Sequence, residues 1–168
     1  MRREPETVVS PKEADPEADE EQRNELRMIF QSDPMAVRQA LQSVVSGLRP
    51  LRLSDDDCGT VELVLAEVMN NICEHAYAGN REGVIEFRLS HHKSGIICVL
   101  LDDGLPMPDG NPPMGKNHNL KCPVNELPEG GFGWFLIREY AKDLQYCRAE
   151  GKNRLSFRLS VGHRVVTN

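Results

Sequence analysis

A chain of 168 residues, 39% of them hydrophobic, is long enough for one domain with a real core. Its net charge of −6 argues against a broad nucleic-acid surface, which needs a basic patch. No run approaches the roughly 20 apolar residues that cross a membrane, and the charged N-terminus lacks the apolar stretch of a signal peptide. The five cysteines are odd in number and contain no Cys-x-x-Cys pair, which argues against a disulfide framework or a zinc site and for a reducing, cytoplasmic setting.

Residues 1–24 are rich in Glu, Asp, Pro and Ala and show no hydrophobic periodicity. Such a composition buries too little surface to offset its ordering entropy, so a disordered acidic tail is expected, as a solubilising segment or an interaction arm. Residues 25–168 form the expected folded domain. Leu26–Phe30 alternates as a strand. Ser32-Asp33-Pro34 supplies a helix N-cap with proline in the first turn, and the helix should run to about Leu48, ended by Pro50. Its buried stripe is expected to hold Val37, Leu41, Val44, Val45 and Leu48. Ser54 or Asp55 caps a second helix, in which Val61, Val64, Leu65, Val68 and Ile72 follow helical spacing as far as about Tyr77. Gly79-Asn80 stop it.

Val84–Ser90 and Gly95–Leu101 read as strands of a hairpin turning through His92-Lys93-Ser94-Gly95. From Asp102 to Gly131 there is no regular pattern, and a loop of that length inside a domain is commonly functional or disordered. Trp134–Lys142 reads as a helix, and Asp143–Arg148 and Arg154–Val161 as closing strands. This order implies an α+β fold, a two-layer α/β sandwich with helices on one face of a mostly antiparallel sheet.

Three segments carry chemistry. In the second helix Glu67, Asn71 and His75 recur every four residues and share a face. A carboxylate beside an amide suits proton acceptance next to a hard cation such as Mg²⁺, although the solvated side of an amphipathic helix explains the same spacing. Leu101-Asp102-Asp103-Gly104 follows an apolar strand; a carboxylate there can accept from an exocyclic amine, and Asp-Gly is also an ordinary turn signal. Glu129-Gly130-Gly131-Phe132-Gly133-Trp134 opens a helix, where bare backbone N–H groups and the helix dipole favour an anion. It does not fit the dinucleotide fingerprint, because it follows a long loop rather than a strand.

Together, Glu67-x-x-x-Asn71, Asp102-x-Gly104 and Gly131-x-Gly133 resemble the N, G1 and G2 boxes of GHKL ATPases, in the right order. Asn71 to Tyr77, Asp103-Gly104-Leu-Pro106-Met-Pro108, Gly130 to Ile137 and the ending Asn153-Arg-Leu155 are similar to the anti-sigma-factor serine kinases. The resemblance covers about residues 26–160 and implies a GHKL-type sandwich that binds ATP with Mg²⁺. It also implies transfer of the γ-phosphoryl to a serine of an anti-anti-sigma factor, sequestration of a sigma factor and a homodimer, with no direct contact to nucleic acid or membrane. By the same resemblance Glu67 is the general base, Asn71 the Mg²⁺ ligand and Asp102 the adenine anchor. His75, Gly104, Pro106, Gly130, Gly131, Phe132 and Gly133 belong to the nucleotide site. The alternative is a non-catalytic nucleotide-binding switch of the same fold. Asn70 stands where a small hydroxyl residue is common, Pro106 replaces a second glycine, and Lys116 and Lys121 are the only cations of the expected lid, Leu105–Glu129.

Overall fold

The computed structural model describes residues 25–114 and 132–162. The acidic tail, Lys116, Lys121, Cys122, Gly130 and Gly131 lie outside the described residues.

Strand β1 (Glu25–Gln31) alternates in burial as its sequence alternates in polarity, with Leu26, Met28 and Phe30 turned against the core. Helix α1 (Pro34–Leu48) begins where Asp33 Oδ1 accepts from the backbone N–H of Met35 at 2.9 Å and Ala36 at 3.4 Å. Pro34 takes the first position, which needs no N–H. Val37, Ala40, Val44 and Leu48 are buried; Leu41 and Val45, also expected on the stripe, lie half-buried at its margin. A 3₁₀ turn over Arg49–Leu51 contains Pro50 and ends the helix. Ser54 caps helix α2 (Asp55–Asn71), accepting from Asp57 N at 3.1 Å. Asp55, Asp56 and Asp57 fill its first turn, where the helix dipole favours negative charge. Val61, Val64, Leu65, Val68 and Met69 are buried along its inner side. The helix then widens into a π-helical turn over Ile72–Ala76.

Strands β2 (Val84–His92) and β3 (Gly95–Asp102) form the expected hairpin. Helix α3 (Phe132–Tyr140) and strands β4 (Ala141–Ala149) and β5 (Lys152–Leu159) complete a sheet of order β1-β2-β3-β5-β4. Every pairing in it is antiparallel among the described residues. Ile85, Phe87, Ile96, Cys98, Leu100, Leu155, Phe157 and Leu159 are buried with the inner helix residues in one core, which gives the expected two-layer sandwich.

Several boundaries differ from the sequence expectation. Helix α3 starts at Phe132 rather than Trp134 and passes directly into β4 at Ala141, with no turn residue between them. The change of direction is absorbed inside the strand by a register shift between Lys142 and Gln145, with Asp143 at φ 54°. Strand β5 starts at Lys152 rather than Arg154, because Glu150 and Gly151, at φ 51° and 78°, make a two-residue turn. Positive φ at both residues matches the twist of the flanking strands. This register sets Asn153, at the start of β5, opposite Asp102 at the end of β3.

Candidate functional site

At that edge of the sandwich lies a cleft of about 410 Å³, bounded by α2, its π-helical turn, β3, β4, β5, α3 and the segment after β3. Its walls are mainly apolar, with Val68, Ile72, Leu105, Met107, Trp134 and Leu155. The polar side chains that reach it are Asn71, His75, Asp102, Tyr146 and Asn153. An apolar cleft of this size with a few convergent polar groups is the usual form of a small-molecule site.

Asp102 occupies the last core-facing position of β3, after Ile96, Cys98 and Leu100, so the alternation of the strand carries its carboxylate inward. It is 8% exposed. Oδ1 accepts from Gly104 N at 3.0 Å and from Asn153 Nδ2 at 2.7 Å. Oδ2 has no partner among the described residues, which leaves an acceptor for whatever enters the cleft. Burial pushes the Asp102 carboxyl above the usual carboxylate range, opposed by the Asn153 and Gly104 donors.

The loop after β3 lies on the π-helical turn. Leu105 N donates to Ala76 O at 2.7 Å, and a Cβ on Gly104 would stand 2.5 Å from the same carbonyl oxygen. Only glycine permits that approach. Tyr77, just past the turn, ties the same parts together from outside the cleft. Its hydroxyl accepts from Val84 N and Asp103 N at 3.2 Å, and its single proton serves Val84 O or Asp103 Oδ1, each 2.5 Å away. Burial first, and Asp103 second, push this phenol up to about 12. The π-helical turn also ends the four-residue face at Asn71. His75 lines the cleft from a wider turn and remains exposed.

Where α2 meets α3, three of the sequence-predicted residues converge. A Cβ on Gly133, in the first turn of α3, would overlap Glu67 Oε2 and lie 3.6 Å from Asn71 Nδ2. Asn71 Nδ2 is buried and has no hydrogen-bond partner among the described residues. An orphaned buried amide costs about 1–3 kcal/mol, so it marks a position where a polar ligand fits. Rotating the amide presents Oδ1 there instead, an oxygen suited to a hard cation. Among the described residues no cluster of three or more His, Cys, Asp or Glu could hold a metal alone. Mg²⁺ carried on phosphates needs only one or two protein oxygens, and Asn71 Oδ1 can provide one.

Of the remaining predicted residues, Pro106 lines the cleft, while Phe132 stacks on Phe135 at 5.9 Å between ring centroids. Sequence reasoning passes over Tyr77 as a tether, and over Trp134, Tyr146 and Arg148. It reaches Asn153 only through the family resemblance. The signal for Asn153 is present nonetheless: a polar residue occupies the core-facing register of Leu155, Phe157 and Leu159.

Residues 30–159 match the histidine kinase-like ATPase domain family. The chain belongs to that family. The match begins at the penultimate residue of β1 and ends at the last residue of β5, so this histidine kinase-like ATPase domain includes every site residue described above. The serine/threonine-protein kinase BtrW of Bordetella bronchiseptica is 26% identical over 100 residues, 58% of this chain and 66% of that protein. The crystal structure of the RsbU and RsbW domains of Rv1364c from Mycobacterium tuberculosis shares the fold, with a TM-score of 0.53 at 12% identity. That likeness covers 82% of this chain and 32% of the other, so the chain spans a minor part of that larger protein. No described helix of the domain is long and apolar enough to cross a membrane.

Proposed function

We propose that the protein is a serine kinase of the anti-sigma-factor type. In this reading it binds Mg-ATP in the cleft, phosphorylates a small anti-anti-sigma partner on serine, and as a homodimer sequesters a sigma factor in the cytoplasm. The observation that carries the reading is the layout of the polar groups. A buried carboxylate whose Oδ2 has no partner among the described residues sits in the apolar cleft, and Glu67, Asn71 and Gly133 meet at the α2–α3 contact. An adenine with its exocyclic amine toward Asp102 and its phosphates toward Gly133 uses both groups.

In this reading Asp102 accepts from the base, and the apolar walls exclude water from its faces. The backbone N–H groups of the first turn of α3 receive phosphate oxygens. Asn71 would hold Mg²⁺, which neutralises phosphate charge when bound. Glu67 takes the proton of the attacking serine hydroxyl as its oxygen bonds to the γ-phosphorus. The bond from that phosphorus to the β-γ bridging oxygen breaks, and ADP leaves. Phosphoryl transfer asks mainly for positioning and charge neutralisation, so one base and one cation suffice.

The test is incubation with Mg²⁺, γ-labelled ATP and small single-domain partner candidates. Label is expected on a partner serine with the parent protein. Glu67→Gln keeps the shape and removes the base, so transfer should fall at least about a hundredfold at near-normal ATP affinity. A parent protein that binds ATP but labels no partner replaces the kinase with a nucleotide-controlled switch.

A further inference from the structure

We infer that Asn153 is a positioning residue that sets the base specificity of the cleft, orienting Asp102 so that one of its carboxylate oxygens stays a pure acceptor. The inference rests on the reading of the cleft as a nucleotide site and adds the side chain that enforces its choice of base.

Asn153 is 4% exposed, and its amide is fully engaged within the protein. Its Oδ1 accepts from Tyr146 Oη at 2.7 Å and from Arg148 at 2.5 Å. Its Nδ2 donates to Asp102 Oδ1 at 2.7 Å and to Leu105 O at 2.9 Å. These partners fix the direction of the amide. A guanidinium has no acceptor to offer, so a flipped amide would set its NH₂ group against Arg148 and its oxygen against the Asp102 carboxylate. Tyr146 Oη is fixed in turn, because it accepts from Met107 N at 3.1 Å and has its own proton left for Asn153.

The donors from Tyr146 and Arg148 therefore hold the Asn153 NH₂ group toward Asp102 and the Leu105 carbonyl. Oδ1 is filled by two N–H groups, one from Asn153 and one from Gly104, and Oδ2 remains the acceptor. A carboxylate held this way accepts from a base with an exocyclic amine, as in adenine. It repels a base with a carbonyl oxygen at the same position, as in guanine. A site built around a required hydrogen bond rejects the wrong partner strongly, because its polar group is otherwise left unpaired. Arg148 also donates to Gly104 O at 2.8 Å, so the loop and the carboxylate share one brace.

The test uses the full chain and compares ATP with GTP by calorimetry, with melting curves as a folding control. The parent should prefer ATP. Asn153→Ala should weaken ATP binding by about tenfold or more and leave GTP affinity unchanged or raised, so the preference falls by at least that factor. Tyr146→Phe removes one support of the amide without touching Asp102 and should erode the preference in part, which covers the case in which Asn153→Ala fails to fold. A merely structural role would weaken both nucleotides equally and leave the ratio unchanged; that result, or a parent that does not discriminate, overturns the inference. A parent that binds neither nucleotide overturns the nucleotide reading itself.

Discussion

Gly133→Ala separates the fold of this domain from its proposed chemistry. Gly133 lies in the first turn of α3, and an added Cβ would meet Glu67 Oε2, the far end of a flexible side chain, rather than backbone. Alanine is the better helix former by about 0.8–1.0 kcal/mol in a helix interior. Forcing Glu67 off a favoured rotamer costs about 0.5–1.5 kcal/mol. The two effects nearly cancel, so stability should change by less than about 1 kcal/mol, a Tm shift of roughly 2–4 °C at most for a domain of this size. The carboxylate is nevertheless displaced from its place beside Asn71. If Glu67 is the base, transfer to the partner serine should fall toward the loss expected without it, about 10²–10⁴-fold. ATP affinity should fall far less than the transfer rate, because alanine keeps the backbone N–H groups that receive phosphate and the displaced base meets the hydroxyl rather than the nucleotide. Melting curves, calorimetry and initial phosphorylation rates measure the three quantities. A variant that phosphorylates at the parental rate would refute the placement of Glu67. One that melts far lower would refute the view that the side chain can yield.

Asp102→Asn should weaken Mg-ATP binding by about ten- to 150-fold, because an acceptor that bears charge is replaced by an amide that can present its donor end. The carboxyl is raised in the folded state, so its linkage favours folding at low pH and loses that contribution as pH rises through the folded value. Above that folded value the ionised group opposes folding, so there the unliganded Asn variant should melt at or above the parental Tm; a clear drop would contradict the burial argument. ATP affinity should also decline on acidification around a midpoint above the ordinary aspartate value of about 3.9, measurable by calorimetry across pH. Deleting residues 1–22 should leave the Tm nearly unchanged, since that segment has no periodic apolar positions to dock, and a large fall would show otherwise.

The fold was legible where local rules and packing agree. Asp33-Pro34 and Ser54 start their helices as their chemistry demands, and the inner stripe of α2 follows helical spacing. The 84–102 hairpin follows from β-rich runs around a short polar turn. Boundaries failed where no residue type announces them. The handover from α3 to β4 depends on a register shift at Asp143, and the widening at Ile72–Ala76 has no breaker residue to mark it. At the site, spacing reveals Glu67 and Asn71 as neighbours, and the alternation of β3 puts Asp102 on its inner face. The brace of Asn153, Tyr146 and Arg148 brings β4 and β5 against a loop 39 to 48 residues earlier, a separation that no local pattern encodes. Likewise, the approach of Gly133 to Glu67 comes from helix packing and not from either motif alone.

The central claim is that this cleft holds Mg-ATP, and titrating ATP into the parent and into Asn71→Ala, with and without Mg²⁺, tests it most directly. The parent should bind one nucleotide per chain more tightly with Mg²⁺ than without it. Asn71→Ala should lose that metal dependence while melting within a few degrees of the parent, because the amide nitrogen it deletes has no partner among the described residues. A parent that binds no ATP at millimolar concentration, or an Asn71→Ala variant with the parental Mg²⁺ dependence, would contradict the account.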